Sequence, residues 1–108
     1  MASGKRRTWG HAAPKPTLDE MLITRQETNR VRAQFLKTDL QAGLTFVKVA
    51  HQTGDDSQKR RSLQAARRVY DTVTSLALKV HLTADDSQEL ERGLAHLKAE
   101  LQALGETF

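Results

Sequence analysis

A chain of 108 residues has room for one domain with one modest hydrophobic core. It contains no cysteine, which excludes disulfides, thiolate metal sites and cysteine nucleophiles. The formal net charge of +4 belongs entirely to residues 1–16, through Lys5, Arg6, Arg7 and Lys15, so the remainder of the chain is neutral.

Within that neutral remainder the charge is still uneven. Residues 25–68 carry ten basic and four acidic side chains, whereas residues 69–108 carry three basic and seven acidic ones. No apolar run follows the basic N-terminal stretch, so it does not read as a signal peptide. The longest apolar stretch, Leu76 to Leu82, is interrupted by Lys79 and His81 and is too short to span a bilayer. The expected compartment is the cytoplasm, with no membrane partner.

In chain order, residues 1–16 hold both prolines, Pro14 and Pro16, and few large apolar residues beyond Trp9. Such a segment cannot bury enough surface to order itself, which predicts a disordered basic tail. No proline follows Thr17, as expected for helices joined by short loops. Thr17 and Glu20 form a capping-box signal ahead of Leu18, Met21, Leu22 and Ile23. That stretch is either a short extra helix near residues 18–24 or the start of a longer first helix, and Arg25 to Arg32 are too polar to decide which.

Three segments then share one pattern. Leu36, Leu40, Gly43, Val47 and Ala50 recur at steps of four and three. Leu63, Ala66, Val69 or Tyr70, Val73, Leu76 or Ala77, and Val80 do the same. Leu90, Leu94, Leu97, Leu101 and Leu104 form the cleanest stripe. This spacing places each set on one side of an α-helix. The expected helices cover roughly residues 28–53, 56–81 and 85–104. Gly54 and Gly105 are placed to close the first and third in left-handed caps. Asp55 with Gln58, and Thr83 with Asp86, offer the caps that open the second and third. Asp85, Asp86 and Glu89 favour the positive end of the third helix. The prediction is an all-α, up-down-up three-helix bundle forming a single domain over residues 17–108.

The string His51-Gln52-Thr53-Gly54-Asp55-Asp56-Ser57-Gln58 returns as His81-Leu82-Thr83-Ala84-Asp85-Asp86-Ser87-Gln88. The hydrophobic stripes that follow fall out of register. Shared helix-end chemistry, a histidine at a C-terminus and acids at the next N-terminus, explains the echo better than a repeat.

Four histidines raise a metal hypothesis, but no pair has the i, i+4 spacing that puts two imidazoles on one face, and no metal or cofactor is expected. Ala95-His96-Leu97-Lys98 faintly resembles the motif of histidine phosphotransfer domains, which are also helical bundles. Here the lysine comes one residue early, on a different face, and Ala99 stands where a glycine belongs. A surface histidine beside a core leucine accounts for it. No nucleophile, base and orienting group assemble from spacing, and no glycine-rich phosphate loop is present, so neither catalysis nor a small-molecule substrate is expected.

Two surfaces remain. Arg60, Arg61, Arg67 and Arg68 repeat at i, i+7 beside the apolar stripe of the second helix, with Asp71 in range of Arg67 and Arg68. Together with Lys5, Arg6, Arg7 and Trp9 they make a candidate polyanion or nucleic-acid site, where guanidinium groups fork onto phosphate and an indole stacks on a base. The second surface is apolar. Leu90, Leu97 and Leu104 make a zipper-like seam that a bundle would bury itself, which leaves Phe35, Phe46, Leu18 and Leu22 as a candidate interaction or homodimer surface.

Ala42-Gly43 followed by Phe46, then Ala66 followed by Tyr70 and Val73, resembles the small-and-aromatic spacing of a tetratricopeptide-type hairpin. The resemblance lacks that family's tryptophan and closing proline, and its half-motifs are joined by a much longer connection. It would imply peptide or protein binding; a shared packing solution is the safer inference. The leading expectation is a non-catalytic protein-interaction or self-association module, with nucleic-acid association as the alternative.

Overall fold

The structure, a computed structural model, describes residues 17–108 apart from the side chains of Leu22 and Ile23. The predicted tail, residues 1–16, lies outside the described residues. The described chain is an all-α three-helix bundle: α1 spans Leu18–Gln52, α2 Asp56–Ala77 and α3 Ala84–Ala103. None of these helices is long and apolar enough to cross a membrane.

The N-terminal question resolves in favour of one continuous helix of 35 residues. Thr17 caps it, its Oγ1 accepting from the Glu20 N–H at 3.2 Å, and Asp19 and Glu20 lie in the first turn where the helix dipole favours them. The polar stretch after Arg25 contains no helix breaker. Thr28, Thr38 and Thr45 each donate a hydroxyl to the carbonyl four residues back, at 2.9–3.0 Å, so these β-branched residues stay satisfied inside the helix.

Two predicted boundaries are corrected. Gly54 does not form a left-handed cap, for Gly105 is the only residue of positive φ among the described residues. Instead α1 closes at Thr53, in extended conformation, whose N–H donates to the Val49 carbonyl at 3.0 Å. The Thr53 hydroxyl then donates to Gln58 Oε1 at 2.7 Å and accepts from the Asp55 N–H at 3.2 Å. This threonine stitches the corner, and no left-handed residue is needed. The second correction is that α2 stops at Ala77 rather than near residue 81. Val80 and Leu82 leave the helix and turn inward two residues apart, both partly buried against the core. Val80 is therefore a core residue, but of a loop. His81 lies in that loop and not at a helix terminus.

The stripes meet as expected. Leu36, Leu40, Val47, Ala66, Val73, Leu90, Leu97 and Leu101 form one buried cluster, joined at its margin by Leu63, Val69, Tyr70, Leu94 and Leu104. All three helices meet at Gly43. A β-carbon there would lie 2.9 Å from Val69 Cγ1 on α2 and 3.1 Å from Leu97 Cδ2 on α3. Ion pairs fix the register of α1 and α3, which run parallel. Lys37 meets Asp86 at 2.6 Å and Glu89 at 2.7 Å near the start of α3, and His51 meets Glu100 at 3.2 Å towards its end. The hydrogen bond between Lys37 and Asp86 is the main cause that raises the Lys37 pKa and lowers that of Asp86.

Two predictions follow from this packing. Gly43→Ala gains about 1 kcal/mol of helix propensity, but overpacking against stiff, β-branched Val69 costs about 1–3 kcal/mol. The expected net loss shows as a lower denaturant midpoint, whereas Gly54→Ala, with nothing within 4 Å of the new methyl, lowers it not at all. For Lys37→Met, the thermal stability difference from wild type is present at neutral pH. It disappears as pH falls below 3.8 through the depressed pKa of Asp86, and again as pH rises beyond 10.5 through the raised pKa of Lys37. A melting-temperature difference that stays constant across both limits would sink the assignment.

Candidate functional site

The site begins with a mismatch of lengths. At 1.5 Å per residue α1 is about 52 Å long, against about 33 Å for α2 and 30 Å for α3. Its first buried residue among the described side chains is Ala33. Around and before that point α1 passes the end of α2 and leaves apolar side chains in water: Leu18 is 77% exposed, Val31 67% and Phe35, two residues after Ala33, 61%.

Where α2 ends, a groove of about 420 Å³ opens between the helices. Val31, Phe35 and Leu36 of α1 form one wall, and Leu76 and Val80 form the other. Arg32 and Lys79 are the only charged residues lining it, and neither makes an ion pair among the described residues. A second concavity of about 490 Å³ continues along α1 from Arg32 through Thr28 and Arg25 to Met21, with His81 on its far side. Arg32 lines both, so the two form one trough along the uncovered face of α1.

Of the predicted apolar surface, the structure places Phe35 in this groove and Leu18 on the projecting end of α1. Leu22 lies within α1, its side chain outside the described residues. Phe46 does not join them. It is 37% exposed, sits beside Arg61, Ser62 and Ala65, and is about 16 Å along the axis from Phe35. Val31, Leu76 and Lys79 were missed as site residues, because nothing in their own spacing marks where α2 stops.

Of the four arginines singled out on α2, Arg60, Arg61 and Arg68 are exposed and Arg67 is half-buried. Seven-residue spacing sets Arg60 with Arg67 and Arg61 with Arg68 as two rows on the outer side of α2. Arg67, however, is engaged by the C-terminal segment. Its guanidinium donates to Asp71 at 3.3 Å and to the Thr107 carbonyl at 2.6 Å, lies 3.8 Å from Glu106, and stacks 3.9 Å above the Phe108 ring. Gly105, at φ 99°, makes this possible by reversing the chain: the Glu106 N–H returns to the Leu101 carbonyl and the Gly105 N–H to that of Gln102, both at 3.0 Å. Phe108 then packs edge-on to Tyr70 at 4.9 Å, with Lys98 Nζ at 5.3 Å. Arg60, Arg61 and Arg68 make no ion pair among the described residues. Lys5, Arg6, Arg7 and Trp9 lie outside those residues.

His51, His96 and Glu100 line a third concavity of about 300 Å³ together with Lys48. Only the His51–Glu100 contact is formed there, and among the described residues no three of His, Cys, Asp or Glu converge as a metal site. His96 itself is exposed, beside buried Leu97. Comparison of the chain with protein-family models, with curated proteins and with solved structures finds no match.

The C-terminal contacts generate a prediction. Phe108→Ala removes an edge-on aromatic pair and a cation–π contact at a partly exposed site, which together are worth about 1–2 kcal/mol. The expected result is a lower denaturant midpoint. The same substitution in an Arg67→Ala background should cost clearly less, and an equal cost in both backgrounds would show that the two do not interact.

Proposed function

We propose that this chain is a non-catalytic interaction module, a helical bundle that associates with another protein or with itself through the groove between α1 and the end of α2. What carries this reading is the contiguous exposed apolar surface of Val31, Phe35 and Leu76, which the bundle leaves in water where its helices differ in length. Exposed apolar patches of this kind are characteristic of binding surfaces. The two cations in the groove walls give it a preference for an acidic partner.

One observation favours a second reading. Arg60, Arg61 and Arg68 present guanidinium groups without an intramolecular partner among the described residues, a surface suited to phosphates of a polyanion, with the basic residues 5–7 adding to it.

Affinity purification of the full chain from its source, washed at rising salt, separates the two. The interaction reading expects protein to be retained through high salt, and lost on Phe35→Asp but not on replacement of Arg60, Arg61 and Arg68. Retention of nucleic acid that falls steeply with salt, and depends on the arginines but not on Phe35, would replace it with the polyanion reading.

A further inference from the structure

Phe46 lies apart from the groove, and its neighbours give it a different role. We propose that Phe46 and the arginines beside it form a binding site for single-stranded nucleic acid, one base stacking on the ring and the flanking phosphates taken by Arg61 and Arg68. This rests on the polyanion reading above, names its ligand class, and is independent of the groove between α1 and the end of α2.

Helical register sorts the four arginines of α2 onto two sides. Arg60 and Arg67 lie towards the C-terminal segment, since Arg67 reaches the Thr107 carbonyl and the Phe108 ring. Arg61 and Arg68 lie towards α1. Arg61 lines a concavity of about 340 Å³ with Phe46 of α1 and with Gln58, Ser62 and Ala65 of its own helix. Arg68 follows Ala65 by three residues and Arg61 by seven, which keeps it on the same side. Phe46 therefore borders a row of two guanidinium groups about 10 Å apart along the axis.

Each side sets an aromatic ring near an arginine, and only one side is filled by the chain itself. There Arg67 stacks 3.9 Å above Phe108 and donates to Asp71 and the Thr107 carbonyl. On the other side ring and guanidinium are neighbours without stacking. Among the described residues every cation–π contact and the one aromatic pair involve Phe108. Arg61 and Arg68 have no ion pair there, and Phe46 keeps part of its ring in water.

No carboxylate lines the concavity. Asp55, at the start of α2, directs its side chain to the Ser57 and Gln58 N–H groups. Asp39, on the same side of α1 as Phe46, is seven residues away, about 10 Å along the axis. Gln58 is oriented as well: its Oε1 accepts from the Thr53 hydroxyl at 2.7 Å, which leaves its amide N–H groups as donors for a base edge.

These features select the ligand. Guanidinium groups alone attract any polyanion, whereas the ring adds a preference for a flat π-face beside the phosphates. In a duplex the base faces are stacked on one another, so only a single strand offers one. Because every base has such a face, the site reads strandedness and not sequence.

The full chain is titrated with labelled oligothymidylate and oligouridylate, which separate DNA from RNA, with the corresponding duplex, and with heparin, which carries charge without bases. Single strands are expected to bind more tightly than duplex. Phe46→Leu keeps apolar packing but removes the aromatic face; it should weaken single-strand binding about tenfold and leave heparin binding unchanged. Replacing Arg61 and Arg68 with glutamine should weaken both ligands. The slope of log affinity for single strands against log salt should then fall by about 1.4. The chain has one tryptophan, Trp9. In a Trp9→Phe background, Phe46→Trp therefore introduces a single indole, whose emission a stacked base should change and heparin should not. Circular dichroism checks that each variant stays folded.

Single-strand binding that ignores Phe46→Leu, that falls only in step with heparin binding, or that leaves the indole emission unchanged overturns the site. Dependence on Arg61 and Arg68 in that event preserves the polyanion reading alone. A full chain that binds neither single strands nor heparin at low salt removes both.

Discussion

A helix of 35 residues cannot bury its whole length against partners of 22 and 20 residues. That inequality organises the molecule. Over residues 33–50, α1 is the central element: Ala33, Leu36, Leu40, Val47 and Ala50 are buried, and Gly43 lets α2 and α3 approach it at once. Before residue 33 the same helix has beside it only the loop of residues 78–83 and the first turn of α3. Its Thr17 cap, its acidic first turn and a run without glycine or proline favour the helix there, where no described side chain is fully buried. The groove, the exposed phenylalanine and the unpaired cations all lie at the boundary between these two regimes.

The stripes of the fold were legible in the sequence because each helix buries one face and repeats its apolar residues accordingly. Every member of the first stripe, Leu36, Leu40, Gly43, Val47 and Ala50, is buried. Caps were legible for the same local reason: Thr17, Asp55 and Thr83 each accept the N–H groups expected of them. The end of α2 was not. Val80 continues the stripe in number, and burial of a loop residue is indistinguishable in sequence from burial of a helical one. The echoed strings at 51–58 and 81–88 misled similarly. Asp55 caps α2, but its counterpart Asp85 lies within the first turn of α3, where Thr83 has taken the cap. Identical letters thus hold different positions: one helix ends at Gln52, and the other ends at Ala77, five residues before the echo's counterpart Leu82. The small-and-aromatic spacing around Gly43 and Tyr70 also finds a local cause. Gly43 accommodates Val69 and Leu97, while Tyr70 serves the Phe108 contact.

The candidate surfaces divide along the same line between local and distant information. Exposure of Phe35 and Leu18 follows from their lying off the stripe or beyond the bundle. Loss of Arg67 from the arginine patch depends on a chain reversal forty residues away, set by Gly105. No pattern within α2 announces it. The consequence is electrostatic: three guanidinium groups remain on the outer face of α2, and the fourth ties the last residues of the chain to the bundle.

These two surfaces differ in what they select. The arginine face offers charge on a solvated helix, where salt screens attraction and geometry selects little. In the groove, two charges sit against apolar walls, so a ligand must supply hydrophobic surface and opposite charge at a fixed spacing to gain from both.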